Sequence, residues 1–175
     1  MQGKKIFLNI FFDRECGKYI ETVVLSTIEK TFSKVIVNSH ILDVDIKKAH
    51  NPFRNQYDGE RILRNMSNII NRNRLFLIVV PYDLYVSNLN FVFGVALPWR
   101  GAVLSTYRLL WRADKILFKS RLEKTVKHEL GHVFGLSHCE NYCVMKFANS
   151  LYELDIKNSD FCESCKRYLL MLGIS

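Results

Sequence analysis

The chain of 175 residues lacks several features that mark membrane and multidomain proteins. A membrane-spanning helix needs about 20 consecutive apolar residues, and apolar runs such as Leu75–Val80 are far shorter. Repeats, low-complexity tracts and linkers are also missing. The hydrophobic content is 49%, and the length is close to the ~150 residues of a typical domain. The sequence therefore predicts one domain with a substantial core and no membrane partner.

A secretory signal is missing as well. Lys4 and Lys5 precede the apolar run Ile6–Phe12, but Asn9 interrupts this run. Residues 13–15 then end it without the small side chains of a cleavage site. We therefore expect a cytoplasmic protein, in which cysteines at metal-ligand spacing bind zinc rather than pair as disulfides.

Acidic residues are fewer than basic ones, which gives a net charge of +8 and a pI of about 9.3. This balance suits an anionic partner such as nucleic acid or an acidic peptide. The lysines and arginines are scattered along the chain rather than clustered, so the sequence does not favour a nucleic-acid partner.

Three of the five histidines lie in residues 128–138, which read HELGHVFGLSH. Histidines four residues apart on a helix lie one turn above each other, so His128 and His132 can direct ring nitrogens at one ion. Gly135 can adopt the left-handed conformation that ends a helix, which would bring His138 back as a third ligand. Three imidazoles leave zinc a fourth position for water.

Glu129 follows the first histidine and is rotated from it by about 100° around a helix. Its carboxylate can therefore reach a water on the metal rather than the metal itself, which is the general-base position in HExxH peptidases. HExxH alone occurs by chance on many helices, but the continuation through Gly135 to His138 makes chance a poor explanation. The pattern predicts a zinc metallopeptidase that hydrolyses peptide bonds with Glu129 as general base.

Four of the five cysteines form two close pairs, namely Cys139 with Cys143 and Cys162 with Cys165. Four thiolates can close a structural zinc site that has no position for water. The alternative is that these cysteines are small buried hydrophobic residues. Because Cys139 directly follows His138, a zinc ion here would brace the backbone of the third histidine. Cys16 is left as a core or loop thiol.

The histidine string followed by Met145 resembles the metzincin clan of zinc peptidases. The positions of the four cysteines narrow the resemblance to the archaemetzincins. The resemblance implies two zinc ions per chain, one catalytic on the histidines and one structural on the cysteines. It also implies a methionine turn at Met145 beneath the imidazoles, although a lone methionine can simply fill a core. Phe147 stands where some metzincins have a zinc-binding tyrosine.

Helical and strand patterns alternate before this motif. Short apolar or β-branched runs predict strands at Ile6–Phe12, residues 35–44 and Leu75–Val80, while helical spacing covers residues 20–32 and 62–70. The alternation predicts an α/β fold with a mostly parallel sheet.

The resemblance implies a zincin-like metzincin fold of the α/β (α+β) class, with a twisted sheet and an antiparallel edge strand. Residues 1–175 would form one catalytic domain. Residues 1–135 would supply the sheet and the active-site helix, and residues 136–175 a small zinc-stapled subdomain with the third histidine and the methionine turn.

Residues 90–96 would be the edge strand in this fold, and residues 101–107 the strand before the active-site helix. An exposed edge can hold an extended peptide through main-chain hydrogen bonds. The candidate substrate-binding residues are therefore Phe93, Gly94, Val95 and Ala96. Alternatively, Gly94 simply marks a bulge.

Residues 120–123 match the S-x-x-E capping box, which predicts that the active-site helix begins at Ser120 and runs to Gly135. Its apolar residues lie nearly opposite the two helical histidines, giving a core face and a chemical face. The apolar residues are Leu122, Val126, Leu130 and Val133.

Two other functions remain open. Bacterial endoribonucleases use a similar three-histidine string, and a basic protein would suit RNA, but they lack a glutamate after the first histidine. A non-catalytic, zinc-stabilised peptide-binding module is the second alternative, against which Glu129 argues. We expect a monomer that acts on a peptide or protein.

Overall fold

The computed structural model describes residues 6–175, so Lys4 and Lys5 of the rejected signal sequence lie outside the described residues. The strands are β1 (Ile6–Phe12), β2 (Val35–Ile41), β3 (His50–Asn51), β4 (Gln56–Asp58), β5 (Leu75–Val80), β6 (Leu84–Val86), β7 (Leu89–Val92), β8 (Gly94–Leu97) and β9 (Gly101–Ser105). The α-helices are α1 (Lys18–Thr31), α2 (Gly59–Ile69), α3 (Lys115–Val133), α4 (Leu151–Ile156) and α5 (Glu163–Met171).

The main sheet has five strands in the order β2-β1-β5-β9-β8. The pairs β1 with β2, β1 with β5 and β5 with β9 are parallel, and β8 runs antiparallel to β9 at the edge. This arrangement confirms the predicted mostly parallel sheet with an antiparallel edge strand. All six residues of β5 are buried, as expected for a central strand covered on both faces.

The two faces of β5 contact different helices because successive side chains of a strand point to opposite sides. Leu77 and Val79 belong to a cluster with α1 and α3, whereas Phe76 and Ile78 belong to a cluster with α2. The predicted core face of α3 is confirmed, since Leu122, Val126, Leu130 and Val133 are all fully buried. The larger cluster continues into the C-terminal segment and includes Met145.

The predicted start of the active-site helix is wrong. Helix α3 begins at Lys115, and the Asp114 side chain accepts a hydrogen bond from the Leu117 N–H at 2.8 Å. Ser120 therefore lies inside the helix, because Asp114 already caps the first turn. The predicted end holds approximately: α3 stops at Val133, and Gly135 has a φ of +92°.

The predicted edge strand over residues 90–96 is two strands rather than one. Strand β7 pairs with β6 in a second sheet of order β3-β4-β6-β7, and only β8 belongs to the main sheet. The chain changes sheets at Phe93, whose side chain is buried in the core. The Phe93 carbonyl accepts a hydrogen bond from the Ser105 N–H at 2.8 Å. The second sheet was not predicted, since strands of two to four residues are too short to show a period.

Other boundaries moved by a few residues. Strand β2 ends at Ile41 rather than at residue 44, and β9 ends at Ser105 rather than at residue 107. None of the helices between residues 6 and 175 combines the length and the hydrophobicity that a bilayer crossing requires.

Candidate active site and metal centres

The three histidines of the motif converge on one point. One ring nitrogen from each of His128, His132 and His138 lies within 4.8 Å of the others. The return of His138 depends on the end of α3, where the Leu136 N–H donates to the Gly131 carbonyl and the Gly135 N–H donates to the His132 carbonyl. These two bonds and the positive φ of Gly135 form a Schellman motif. The predicted turn at Gly135 is present.

Backbone carbonyls fix the orientation of two of the rings. His128 Nδ1 donates to the Val144 carbonyl at 2.9 Å, and His132 Nδ1 donates to the Leu136 carbonyl at 2.7 Å. Since Nδ1 carries the proton in each neutral ring, both Nε2 atoms present lone pairs. These two Nε2 atoms are 3.2 Å apart. Two facing lone pairs repel each other, and a cation between them removes the repulsion, so the residues fit a zinc ion.

Electrostatics keeps the imidazoles in the form that binds metal. Burial lowers the pKa of all three histidines, and the positive charge of Lys157 lowers it further. The rings are therefore neutral at neutral pH, and a neutral imidazole is the metal-binding species.

Glu129 lies on the same helix, 4% exposed, with its carboxylate against the backbone of Gly94 in the edge strand. Burial raises the pKa of Glu129 to about 8, and the charge of Lys157 opposes this rise. A divalent cation on the neighbouring histidines would act in the same direction as Lys157 and favour the carboxylate.

Lys157 is a site residue that the sequence did not reveal. Its side chain is buried, with Nζ donating to the Lys146 carbonyl at 3.1 Å and lying 3.3 Å from His128 Nδ1. Burial lowers the pKa of Lys157 to about 8, while the charge of Glu129 opposes this fall. Lys157 follows helix α4, which brings the chain back to the histidines. Because this contact joins residues that are far apart in the chain, no local sequence pattern identifies Lys157 as a site residue.

Met145 is fully buried beneath the helix that carries the histidines. Its sulfur packs against Gly131, where an added Cβ would overlap it. Glycine at position 131 thus permits the close approach of Met145 to α3. The Phe147 ring lies 5.1 Å from the His138 ring, and its side chain has no group that binds zinc.

The four paired cysteines form a second cluster, with all four sulfurs within 4.8 Å of one another. The sulfurs of Cys139 and Cys162 are 3.7 Å apart, and those of Cys143 and Cys165 are 3.8 Å apart. None of the four is in a disulfide. Burial acts to raise the pKa of Cys162, but hydrogen bonds outweigh it and lower the value to about 5. A stabilised thiolate among three other sulfurs fits a structural zinc ion.

The backbone of residues 139–145 connects the cysteine cluster to the histidine site. Cys143 belongs to the sulfur cluster, the next residue Val144 accepts the His128 hydrogen bond, and Met145 follows. In addition, the Cys139 N–H donates to the Met145 carbonyl at 3.1 Å. The backbone that carries the cysteine cluster therefore also carries Val144, which orients the ring of His128, and Met145, which packs beneath α3.

A cleft of about 330 Å³ lies over the histidines. The residues that line it include the four candidate edge residues, Phe93, Gly94, Val95 and Ala96, and three residues that follow Met145, namely Phe147, Ala148 and Asn149. Cys16 lies away from this region, buried, with a thiol pKa raised by burial to about 12. It is a core thiol.

A model of the family described as peptidase family M54 matches residues 6–170 of the chain. The chain belongs to this family, the archaemetzincins. It is 45% identical over 134 residues to the archaemetzincin of Nanoarchaeum equitans, covering 75% of this chain and 72% of that protein.

Solved structures of archaemetzincins have the same fold. The crystal structure from Methanopyrus kandleri superposes with a TM-score of 0.86 at 31% identity, covering 99% of this chain and 98% of that one. The structure from Archaeoglobus fulgidus, complexed with malonate, superposes with a TM-score of 0.78 at 34% identity, covering 92% and 99%. The protein is thus a zinc metallopeptidase, a hydrolase of peptides or proteins.

Proposed function

We propose that this archaemetzincin hydrolyses the peptide bonds of a substrate at the site formed by His128, His132 and His138, with Glu129 as the general base. The observation that carries the proposal is the position of Glu129. Its carboxylate is buried between the edge strand and the helix that presents two facing Nε2 atoms 3.2 Å apart. A carboxylate at this place has no packing role that an apolar residue could not fill better.

His128, His132 and His138 would hold a catalytic zinc ion. Zinc in a three-histidine site supplies a Lewis acid that polarises a carbonyl and lowers the pKa of a bound water towards about 7. Glu129 accepts the proton of the attacking water and then passes it to the leaving amine. Lys157 lies behind His128 and favours the carboxylate form of Glu129.

Strand β8 would hold the substrate in an extended conformation. It lies at the edge of the main sheet and lines the cleft, so its outer main-chain groups face the position of a bound peptide. Gly94 and Ala96 would supply these hydrogen bonds, because their main-chain groups point away from β9 in the antiparallel register. Val95 pairs with Val103 of β9 and would contribute to the cleft wall instead. Phe93 has a different role, since its carbonyl already bonds to Ser105 and its ring is buried.

Cys139, Cys143, Cys162 and Cys165 would hold a second, structural zinc ion. The cluster stabilises residues 136–175 as a subdomain around His138 and Met145. Cysteines arranged for metal rather than for disulfides suit a reducing compartment, so we also propose that the protein is cytoplasmic.

Metal analysis and a cleavage assay test this proposal together. Protein purified without chelator should contain about two zinc ions per chain and should cleave a mixed peptide library. A chelator should abolish cleavage, and added zinc should restore it. A single zinc ion, or cleavage that survives removal of all metal, would contradict the proposal. Zinc-loaded protein that binds the library but cleaves nothing would favour the binding module, and salt-sensitive RNA cleavage would favour the ribonuclease.

A further inference from the structure

A second pocket opens directly beside the catalytic cleft. It has a volume of about 720 Å³ and shares two of its lining residues, Phe91 and Asn149, with the cleft. The rest of its wall comes from the segment after β9 and from the start of α4. The two spaces therefore adjoin each other at these two residues, so a peptide that extends beyond the cleft at this point would reach the second pocket.

The position of the pocket along β8 determines which part of a peptide reaches it. The pocket adjoins Phe91 and Tyr107, which lie near the beginning of β8, since Phe93 and Ser105 are joined by a main-chain hydrogen bond. Antiparallel strand pairing is the commoner and slightly more stable arrangement. A peptide that pairs antiparallel with β8 has its carboxyl-terminal part at the beginning of β8. The second pocket would then receive residues that follow the cleaved bond.

The wall of the pocket combines exposed apolar groups with guanidinium groups. Tyr107 is 56% exposed and Trp111 is 61% exposed. The guanidinium of Arg108 lies 4.0 Å from the centre of the Phe91 ring, and that of Arg112 lies 4.7 Å from the centre of the Trp111 ring. Flat guanidinium groups stacked on rings retain free N–H donors along their edges.

The two arginines differ in charge compensation. Arg108 donates to both carboxylate oxygens of Asp83, at 2.7 and 2.8 Å. Arg112 has no ion pair with any residue in the described range 6–175. Among residues 6–175, no aspartate or glutamate lines the pocket. The pocket therefore carries an uncompensated positive charge next to exposed rings, which is complementary to a carboxylate on a peptide.

We propose that this second pocket is a specificity subsite that binds a carboxylate on the carboxyl-terminal side of the cleaved bond. Arg112 binds the carboxylate, and Trp111 and Tyr107 pack against the apolar part of the same residue. The carboxylate is either the side chain of an aspartate or glutamate or the free carboxyl terminus of the substrate. This inference rests on the proposed peptidase function and names the substrate class of the same site.

Binding by zinc-loaded Glu129→Gln protein tests the subsite separately from catalysis. Dissociation constants are measured by calorimetry for matched extended peptides that place a glutamate or a glutamine in the carboxyl-terminal half, each with a free or an amidated terminus. We expect the preferred carboxylate to improve affinity by about fivefold or more. The glutamate-to-glutamine comparison isolates the side chain, and the free-to-amidated comparison isolates the terminus.

Substitutions at position 112 assign the preference to its guanidinium. Arg112→Gln should abolish the difference between acid and amide peptides, and Arg112→Lys should retain part of it. Arg64→Gln removes an exposed charge on α2 and should leave the difference intact. Equal binding of all peptides, no binding of any, or a preference that survives Arg112→Gln would each overturn the inference. Failure of the wild-type protein to cleave peptides would instead count against the proposed hydrolysis, since the binding comparison does not depend on turnover.

Discussion

Gly94 of the edge strand lies directly against the carboxylate of Glu129. A Cβ atom added to Gly94 would lie 2.7 Å from Glu129 Oε1 and 2.6 Å from Glu129 Cδ, which is closer than such atoms approach. Strand β8, which would hold the substrate, and Glu129, which would accept the proton, are therefore in direct contact at Gly94. The glycine serves this close approach, and its φ lies outside the positive region that favours glycine.

Gly94→Ala should reduce peptide cleavage strongly while leaving the metals bound. The added methyl group must displace the Glu129 carboxylate, since the alternative is to move β8 away from β9, and a small displacement of a catalytic group can cost about a hundredfold in rate. Cleavage of the peptide library and zinc content are the measurements. Gly17→Ala is the matched control, because an added Cβ there has no neighbour within 4 Å. Cleavage by Gly94→Ala at the parent rate would contradict the close packing.

The start of α3 gives a second prediction. Asp114→Ala should lower the free energy of unfolding by about 1 kcal/mol, because the Leu117 N–H loses its partner. Ser120→Ala, at the position that the sequence favoured, should change the free energy of unfolding by less than about 0.5 kcal/mol. The free energies of unfolding of the two variants, measured with a denaturant, show which of the two residues caps α3. A larger effect at Ser120 than at Asp114 would restore the original prediction.

The shared backbone of the two clusters gives a third prediction. Cys143→Ser should weaken zinc binding at the histidines as well as at the cysteines, because Val144 orients His128 and Met145 packs beneath α3. Zinc affinity of the histidine site, measured by chelator competition, should fall by about tenfold or more. Cys16→Ser is the control, since it also removes a buried thiol but lies outside both clusters. Unchanged affinity in Cys143→Ser would mean that the sites are independent.

Local spacing accounts for the parts that the sequence predicted well. The strands β1 and β5 follow from short apolar runs, and the convergence of His128, His132 and His138 follows from helical periodicity and Gly135. These features depend on residues that are near one another in the chain.

The parts that were missed depend either on a choice between competing local signals or on contacts between distant residues. The pattern S-x-x-E occurs four times in the chain, at residues 26–29, 120–123, 137–140 and 150–153. Of the pair at residues 120–123 and 150–153, only the second caps a helix, with Ser150 Oγ accepting from the Glu153 N–H at 3.2 Å. The first lies inside α3 because Asp114 caps that helix. Lys157 reaches His128 only after α4 has folded back, which is aided by the ion pair between the buried Arg121 and Asp155. A short stretch of sequence therefore reveals neither the residue that caps α3 nor the contact between Lys157 and His128.

Comparison of the parent protein with Glu129→Gln tests the central claim most directly. The amide is nearly isosteric and is not a zinc ligand here, so the fold and about two zinc ions per chain should be retained. It cannot accept the proton of the attacking water, and loss of a general base lowers the rate by roughly a hundredfold or more. The measurement is the cleavage rate of one mixed peptide library by zinc-loaded parent and variant. The account predicts cleavage by the parent and almost none by Glu129→Gln, and equal rates for the two proteins would contradict it.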